Sequence, residues 1–153
     1  MSRINFVTGA TGFVGSNLVS QLNARGEKVK ALIRPGADLK ALEGLEYEIV
    51  EGSLAETEAL KRGMEGCERF YHVAASYALW ALDYSPMYRA NVEGTRNVCQ
   101  AAWDMGVTRI VYTSTVGCIG LPNQKDAEGK LIPTDETAMA SESQMSNPYK
   151  HSK

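Results

Sequence analysis

The sequence predicts an α/β fold, a doubly wound parallel sheet in three αβα layers, from three observations. Five short runs rich in Val, Ile, Tyr and Phe alternate with helix-like segments, the spacing expected of βαβ units. Gly26, Gly44, Gly66 and Gly106 each stand just before a predicted strand, where a helix ends in the left-handed conformation that glycine adopts at low cost. A glycine-rich turn joins the first strand to the first helix.

The predicted strands are residues 3–8, 28–34, 46–51, 69–73 and 109–115. Helices are expected at 17–25, where Leu18 and Leu22 lie four apart, and at 87–105, where Met87, Asn91, Thr95, Val98, Ala102 and Met105 recur at three- to four-residue steps. Ser85-Pro86 reads as an N-cap followed by proline at the first helical position. Glu56, Glu58, Lys61 and Arg62 read as the solvated face of a short helix. From 117 to 148 the periodicity dissolves into a long irregular connection, and a new helix begins at Asn147-Pro148-Tyr149. Five strands with the last helix cut short are expected to be part of a longer protein.

Composition narrows the function. The chain has 153 residues, 16 basic and 18 acidic, net charge −2, with 22% charged and 44% hydrophobic residues, which disfavours a nucleic-acid grip based on bulk charge. The most apolar stretch, 70–82, is interrupted by His72 and Ser76 and is shorter than the roughly 20 residues of a membrane helix. The first residues lack the pattern of a signal peptide, so a cytoplasmic protein is expected. Cys67, Cys99 and Cys118 include no C-x-x-C pair, which argues against a disulfide framework or zinc knot and for buried packing. His72 and His151 lack ligand spacing, and no metal is expected.

Thr8-Gly9-Ala10-Thr11-Gly12-Phe13-Val14-Gly15 carries the chemistry of the first turn. Gly9 permits a tight turn, Gly12 lets the backbone approach a pyrophosphate, and Gly15 allows close helix-to-sheet packing, while the helix N-terminus offers N–H groups to the anion. With a strand before it and a helix after it, the turn is expected to be the phosphate site of a dinucleotide-binding Rossmann fold; the alternative is a purely structural turn. Arg34 stands nineteen residues after Gly15, where an arginine accommodates the 2′-phosphate of NADP and an acidic residue would bind the NAD ribose. NADP(H) is expected in preference to NAD(H); the alternative is that Arg34 only solvates a strand end.

A second constellation lies near the end of the chain. Tyr149 and Lys153 are spaced i, i+4, on one helix face, and a lysine charge favours the phenolate form of a tyrosine that exchanges protons with a substrate oxygen. The fifth strand closes with Thr113-Ser114-Thr115 at the carboxyl edge, where ligands bind in open α/β sheets. Strand alternation puts Thr113 and Thr115 on one face and Ser114 on the other, so Thr115 is the first candidate to orient a substrate oxygen and Ser114 the reserve. Hydroxyls at a strand end also serve simply as caps. Tyr77 and Trp80 either line the nicotinamide end of the cleft or belong to the core.

Together, TGATGFVG at 8–15, HVAA at 72–75, NVEGTRN at 91–97, VYTSTVG at 111–117 and YKHSK at 149–153 resemble the extended short-chain dehydrogenase/reductase (NAD-dependent epimerase/dehydratase) family. The motifs at 74–80 and 88–95 are similar to its dihydroflavonol-reductase-like branch, including the hopanoid-associated sugar epimerases. The resemblance implies a Ser/Thr-Tyr-Lys site with Tyr149 as acid/base, Lys153 lowering its pKa and holding the nicotinamide ribose, and Thr115 in place of the orienting serine. Asn91 would brace the catalytic helix. The remaining cofactor contacts implied are Gly9, Thr11, Gly12, Phe13, Val14, Gly15, Arg34, Ser53, Leu54, Ala74, Ala75 and Thr113. Ser53 stands where the family usually has an aspartate for the adenine amino group. Members are about twice this length, and a homodimer is expected by analogy.

The expected function is NADP(H)-dependent hydride transfer with a ketone or secondary-alcohol substrate. The alternatives are an NAD-retaining nucleotide-sugar epimerase/dehydratase and a non-catalytic dinucleotide-binding module, with the 153-residue chain alone expected to be inactive.

Overall fold

All five predicted runs are strands, each trimmed at one or both ends: β1 Ile4–Thr8, β2 Lys28–Ile33, β3 Glu48–Glu51, β4 Arg69–His72 and β5 Arg109–Tyr112. The computed structural model describes residues 2–78 and 80–153; Leu79, within the 74–80 motif, lies outside them. Every ladder is parallel and the order is β3-β2-β1-β4-β5. Thr8 pairs with both Leu32 and His72, and His72 with Tyr112, so the carboxyl ends align along one edge. The strand order reverses beside β1, the point where open α/β sheets take ligands.

Alternation along the strands divides the core between two faces. Phe6, Leu32, Val50 and Phe70 pack under α2 (Thr57–Met64) and α4 (Gly94–Asp104), with Leu60, Met64, Val98 and Ala102 completing that layer. Val7, Ala31 and Ile33 face the other way, onto Val19 and Leu22 of α1 (Phe13–Ala24). Both faces of β1 and β2 are thus covered, which explains why these strands read as apolar runs without simple polar alternation, whereas Ile49 of β3 and Ile110 and Val111 of the edge strand β5 stay exposed. Burying each large side chain contributes roughly 1.5–3 kcal/mol. Gly26, Gly44, Gly66 and Gly106 have φ of 68°, 76°, 71° and 69°, so the glycine punctuation marks helix and turn ends as the sequence indicates.

Three expectations change in detail. The helix expected at 87–105 is continuous but composite: α3 (Ser85–Tyr88), a π turn (Arg89–Glu93) and α4. Ser85 is already helical with Tyr84 as N-cap, and its hydroxyl donates to Asp83 Oδ1 at 2.6 Å instead of capping. β5 stops at Tyr112, because only Thr113 N still reaches a β4 carbonyl, His72 O at 3.0 Å, before a 3-10 turn forms at Val116–Cys118.

Of the cysteines only Cys67 is fully buried, and burial pushes its thiol up to about 11; Cys99 and Cys118 are half-buried and all three are free. The irregular connection is folded back by isolated antiparallel bridges, Ile119 with Met139 and Lys125 with Leu131. It leads into α5 (Pro148–Ser152), whose N-cap Asn147 accepts from Lys150 N at 2.9 Å. Among the described residues no helix is long and apolar enough to cross a membrane.

Candidate active site

The turn after β1 is built by its glycines. Gly9 has φ of 75°, and a Cβ there would lie 2.6 Å from Ala74 N and 2.7 Å from Ala74 Cα, so the turn and the strand-β4 exit touch backbone to backbone. Gly12 N donates to Gly9 O at 3.1 Å and Gly12 then serves as N-cap of α1 with no side-chain cap. A Cβ on Gly15 would fall 2.7 Å from Gly9 C and 2.8 Å from Ala10 Cα. The first-turn N–H groups therefore open outward without an internal acceptor, with no acidic side chain beside them, an arrangement suited to an anion.

Above this turn lies a cleft of about 770 Å³. It is lined by Gly9, Thr11, Gly12, Phe13, Val14 and Gly15 of the turn, Arg34 after β2, Ser53 and Leu54 after β3, Ala74 and Ala75 after β4, and Thr113 after β5. The expected cofactor-contacting residues are thus brought together except Tyr149 and Lys153. Sequence reasoning missed Arg89 and Ala90 of the π turn and Ala37, which also line the cleft. Arg89 and Ala90 fall within the 88–95 motif, but a helical pattern gives no warning of the π turn that carries them.

Tyr149 and Thr115 meet instead in an adjoining cavity of about 390 Å³, with Tyr77, Val116, Leu121 and Asn147. The Tyr77 and Tyr149 rings pack edge to face with centroids 4.8 Å apart. Tyr77 is 62% and Trp80 75% exposed, so neither is a core residue; both follow the carboxyl end of β4. Thr115 Oγ1 accepts from Gly117 N at 3.2 Å, capping the 3-10 turn. Capping uses an acceptor site of that hydroxyl and leaves its proton to be donated. Ser114 is exposed, donates toward Cys118 Sγ at 3.7 Å and lines neither space.

Lys153 lies apart from both linings. Its Nζ donates to Thr113 O at 2.9 Å and sits over the Tyr112 ring, 4.5 Å from the centroid. Asn91 joins the site's parts: its Oδ1 accepts from Ser76 N at 2.7 Å, and its Nδ2 donates to Ser76 O and to Ser152 Oγ, each at 2.8 Å. Ser152 Oγ in turn donates to Tyr149 O at 2.8 Å. The buried amide therefore ties the loop after β4 to the helix that carries Tyr149.

His72 is buried beneath the same edge. Nδ1 lies 2.7 Å from Thr8 Oγ1 and Nε2 2.9 Å from Thr95 Oγ1, and its ring stacks between Phe70 and Tyr112 at 5.8 and 5.4 Å. Burial, reinforced by the Lys153 charge, pushes its pKa down to about 4, so it is neutral at pH 7. Both nitrogens are occupied by hydroxyls; no cluster of metal-ligating side chains is found among the described residues.

A parallel sheet with a glycine-lined cleft at its switch point and a hydroxyl-bearing cavity beside it defines a Rossmann-like α/β protein. Residues 5–153 match the model of the NAD dependent epimerase/dehydratase family, to which this chain belongs. It is 40% identical over 148 residues to a protein from Synechocystis sp. named putative dihydroflavonol 4-reductase, covering 97% of this chain and 41% of the relative. The crystal structure of gox2253 superposes with a TM-score of 0.85 at 41% identity, covering 99% of this chain and 44% of that one. A short-chain dehydrogenase/reductase superfamily protein from Agrobacterium tumefaciens with bound NAD gives a TM-score of 0.72 at 28% identity, covering 99% and 42%. The chain thus spans about two-fifths of the length of these proteins.

Proposed function

We propose that residues 1–153 are the dinucleotide-binding domain of an NADP(H)-dependent oxidoreductase that interconverts a ketone and a secondary alcohol in the cytoplasm, acting as a homodimer. The observation that carries this reading is adjacency: the glycine-lined cleft and the Thr115–Tyr149 cavity open at the same carboxyl edge of the sheet. When bound, the dinucleotide supplies the hydride donor or acceptor. The residues present fit it, because the open first turn of α1 offers N–H groups and no carboxylate where the diphosphate would rest.

Each side chain then has a task. The Gly9–Gly15 turn holds the diphosphate; Ser53 and Leu54 flank the adenine, and Ala74, Ala75 and Thr113 the path toward the nicotinamide. Thr115 donates to the substrate oxygen while its own oxygen stays fixed by Gly117 N. Tyr149 gives its phenolic proton to that oxygen in reduction and takes it back in oxidation, and Lys153 stabilises the phenolate and holds the ribose. Arg34 favours a 2′-phosphate: the cleft lining includes Arg34 and Arg89 and neither Asp nor Glu. The reductase name carried by the Synechocystis relative is in keeping with this chemistry.

A second reading, a nucleotide-sugar epimerase or dehydratase that retains NAD, draws on the family description and on the NAD bound in the Agrobacterium neighbour. Mass measurement of any nucleotide co-purified with the full-length protein separates the two. The reductase releases its nucleotide, binds NADPH more tightly than NADH, and oxidises it when offered a ketone; tightly retained NAD and no net oxidation would favour the epimerase.

A further inference from the structure

Lys153 is the C-cap residue of α5, carrying a long side chain with several rotatable bonds. Two groups fix it nonetheless, the Thr113 carbonyl and the face of Tyr112. Tyr112 in turn stands on His72, ring centroids 5.4 Å apart and planes 20° off parallel, and His72 is locked by hydroxyls at both nitrogens. A neutral imidazole adds no positive charge beneath the ring, so the Tyr112 face keeps its attraction for the ammonium.

We propose that Tyr112 is a positioning residue for Lys153: its ring, backed by His72, seats the ammonium at the carboxyl edge beside Thr113, between the nucleotide cleft and the Tyr149 helix. The attraction comes from the ring and not from the phenolic hydroxyl, so phenylalanine serves equally and an aliphatic side chain does not. The inference rests on the reading that Lys153 holds the nucleotide ribose.

The test measures NADPH dissociation constants of the full-length protein by nucleotide fluorescence. Tyr112→Phe is expected to bind within about twofold of the parent, and Tyr112→Leu about five- to tenfold more weakly. Phenylalanines carrying one, two and three fluorines at position 112 keep the ring's shape while draining its face, and binding should weaken in steps along the series. This arm decides the matter even where Tyr112→Leu fails to fold. In proton NMR spectra the Lys153 Hε signals should be shifted upfield by the ring current in the parent and in Tyr112→Phe. Equal affinity across the fluorinated series, or unshifted Lys153 signals, overturns the proposal. Lys153→Met separates the two layers: if it binds NADPH like the parent, the ribose role of Lys153 fails and the proposal with it. If it binds weakly while the fluorinated series is flat, only the role of Tyr112 falls.

Discussion

The imidazole of His72 and the hydroxyl of Thr8, 2.7 Å apart, join the carboxyl ends of β4 and β1 across the point where the strand order reverses. Thr8 is the residue before the phosphate turn, and its hydroxyl also receives the Ala74 N–H at 3.4 Å, so both walls of the cleft meet at one buried contact. Because the second imidazole nitrogen is held by Thr95, the contact extends to the helix that follows the π turn.

Burial of His72, reinforced by the Lys153 charge, makes stability depend on pH. The unfolded imidazole titrates near 6.5 and the folded one near 4, so between these values the unfolded chain binds more protons. The contribution is fully present above about pH 6.5 and is lost as pH falls through 4, about 3 kcal/mol in all. Urea unfolding from pH 7.5 to 4 should show this fall in the parent and its absence in His72→Leu. At pH 7 the same variant should lose about 1–3 kcal/mol through the two hydroxyls left short of a partner. Parallel pH curves for the two proteins would show that His72 is not the titrating group.

Gly9→Ala is expected to abolish measurable dinucleotide binding. The left-handed φ of 75° and the 2.6 Å approach to Ala74 N leave no place for a methyl group, so the turn must open. Calorimetric titration with NADPH checks this, and affinity within threefold of the parent would refute the role given to the turn.

The strands and the glycine stops were legible because burial on two faces and positive φ are imposed by local residue type: Val, Ile and Phe in the runs, glycine at the ends. The glycine turn was legible for the same reason. What escaped depends on distant partners. By periodicity alone Asn91 reads as one more position on a helical stripe, and only the family resemblance pointed to the bracing its amide makes with Ser76 and with Ser152, the latter 61 residues away. The early end of β5 follows from its lying at the sheet edge, paired on one side only with a β4 that stops at His72. Tyr77 and Trp80 are large aromatics that emerge beyond the carboxyl end of β4 and stay mostly exposed, and the ring that Tyr77 meets, Tyr149, lies 72 residues further along the chain.

Asn91→Ala should separate stability from nucleotide binding. Loss of the amide strips Ser76 N, Ser76 O and Ser152 Oγ of their partner, costing about 2 kcal/mol, while the phosphate turn is untouched. Unfolding by urea should register the loss, whereas NADPH affinity should change less than turnover in the full-length protein. Turnover unchanged beside a destabilised fold would confine Asn91 to a structural role.

Arg34→Ser should weaken NADPH binding by about tenfold and leave NADH within about twofold, since one charged hydrogen-bonding partner of the 2′-phosphate is removed. Paired titrations of the two nucleotides read the ratio directly. An equal effect on both would mean that Arg34 only solvates the strand end.

The most direct measurement is steady-state ketone reduction by full-length Tyr149→Phe, taken together with its NADPH dissociation constant. The phenol is placed beside Thr115 in the cavity next to the cleft and away from the phosphate turn. Turnover should fall by about 10²- to 10⁴-fold with nucleotide affinity within about twofold of the parent. Turnover equal to the parent's would contradict the assignment of proton transfer to this residue and, with it, the reading of the cavity as an active site.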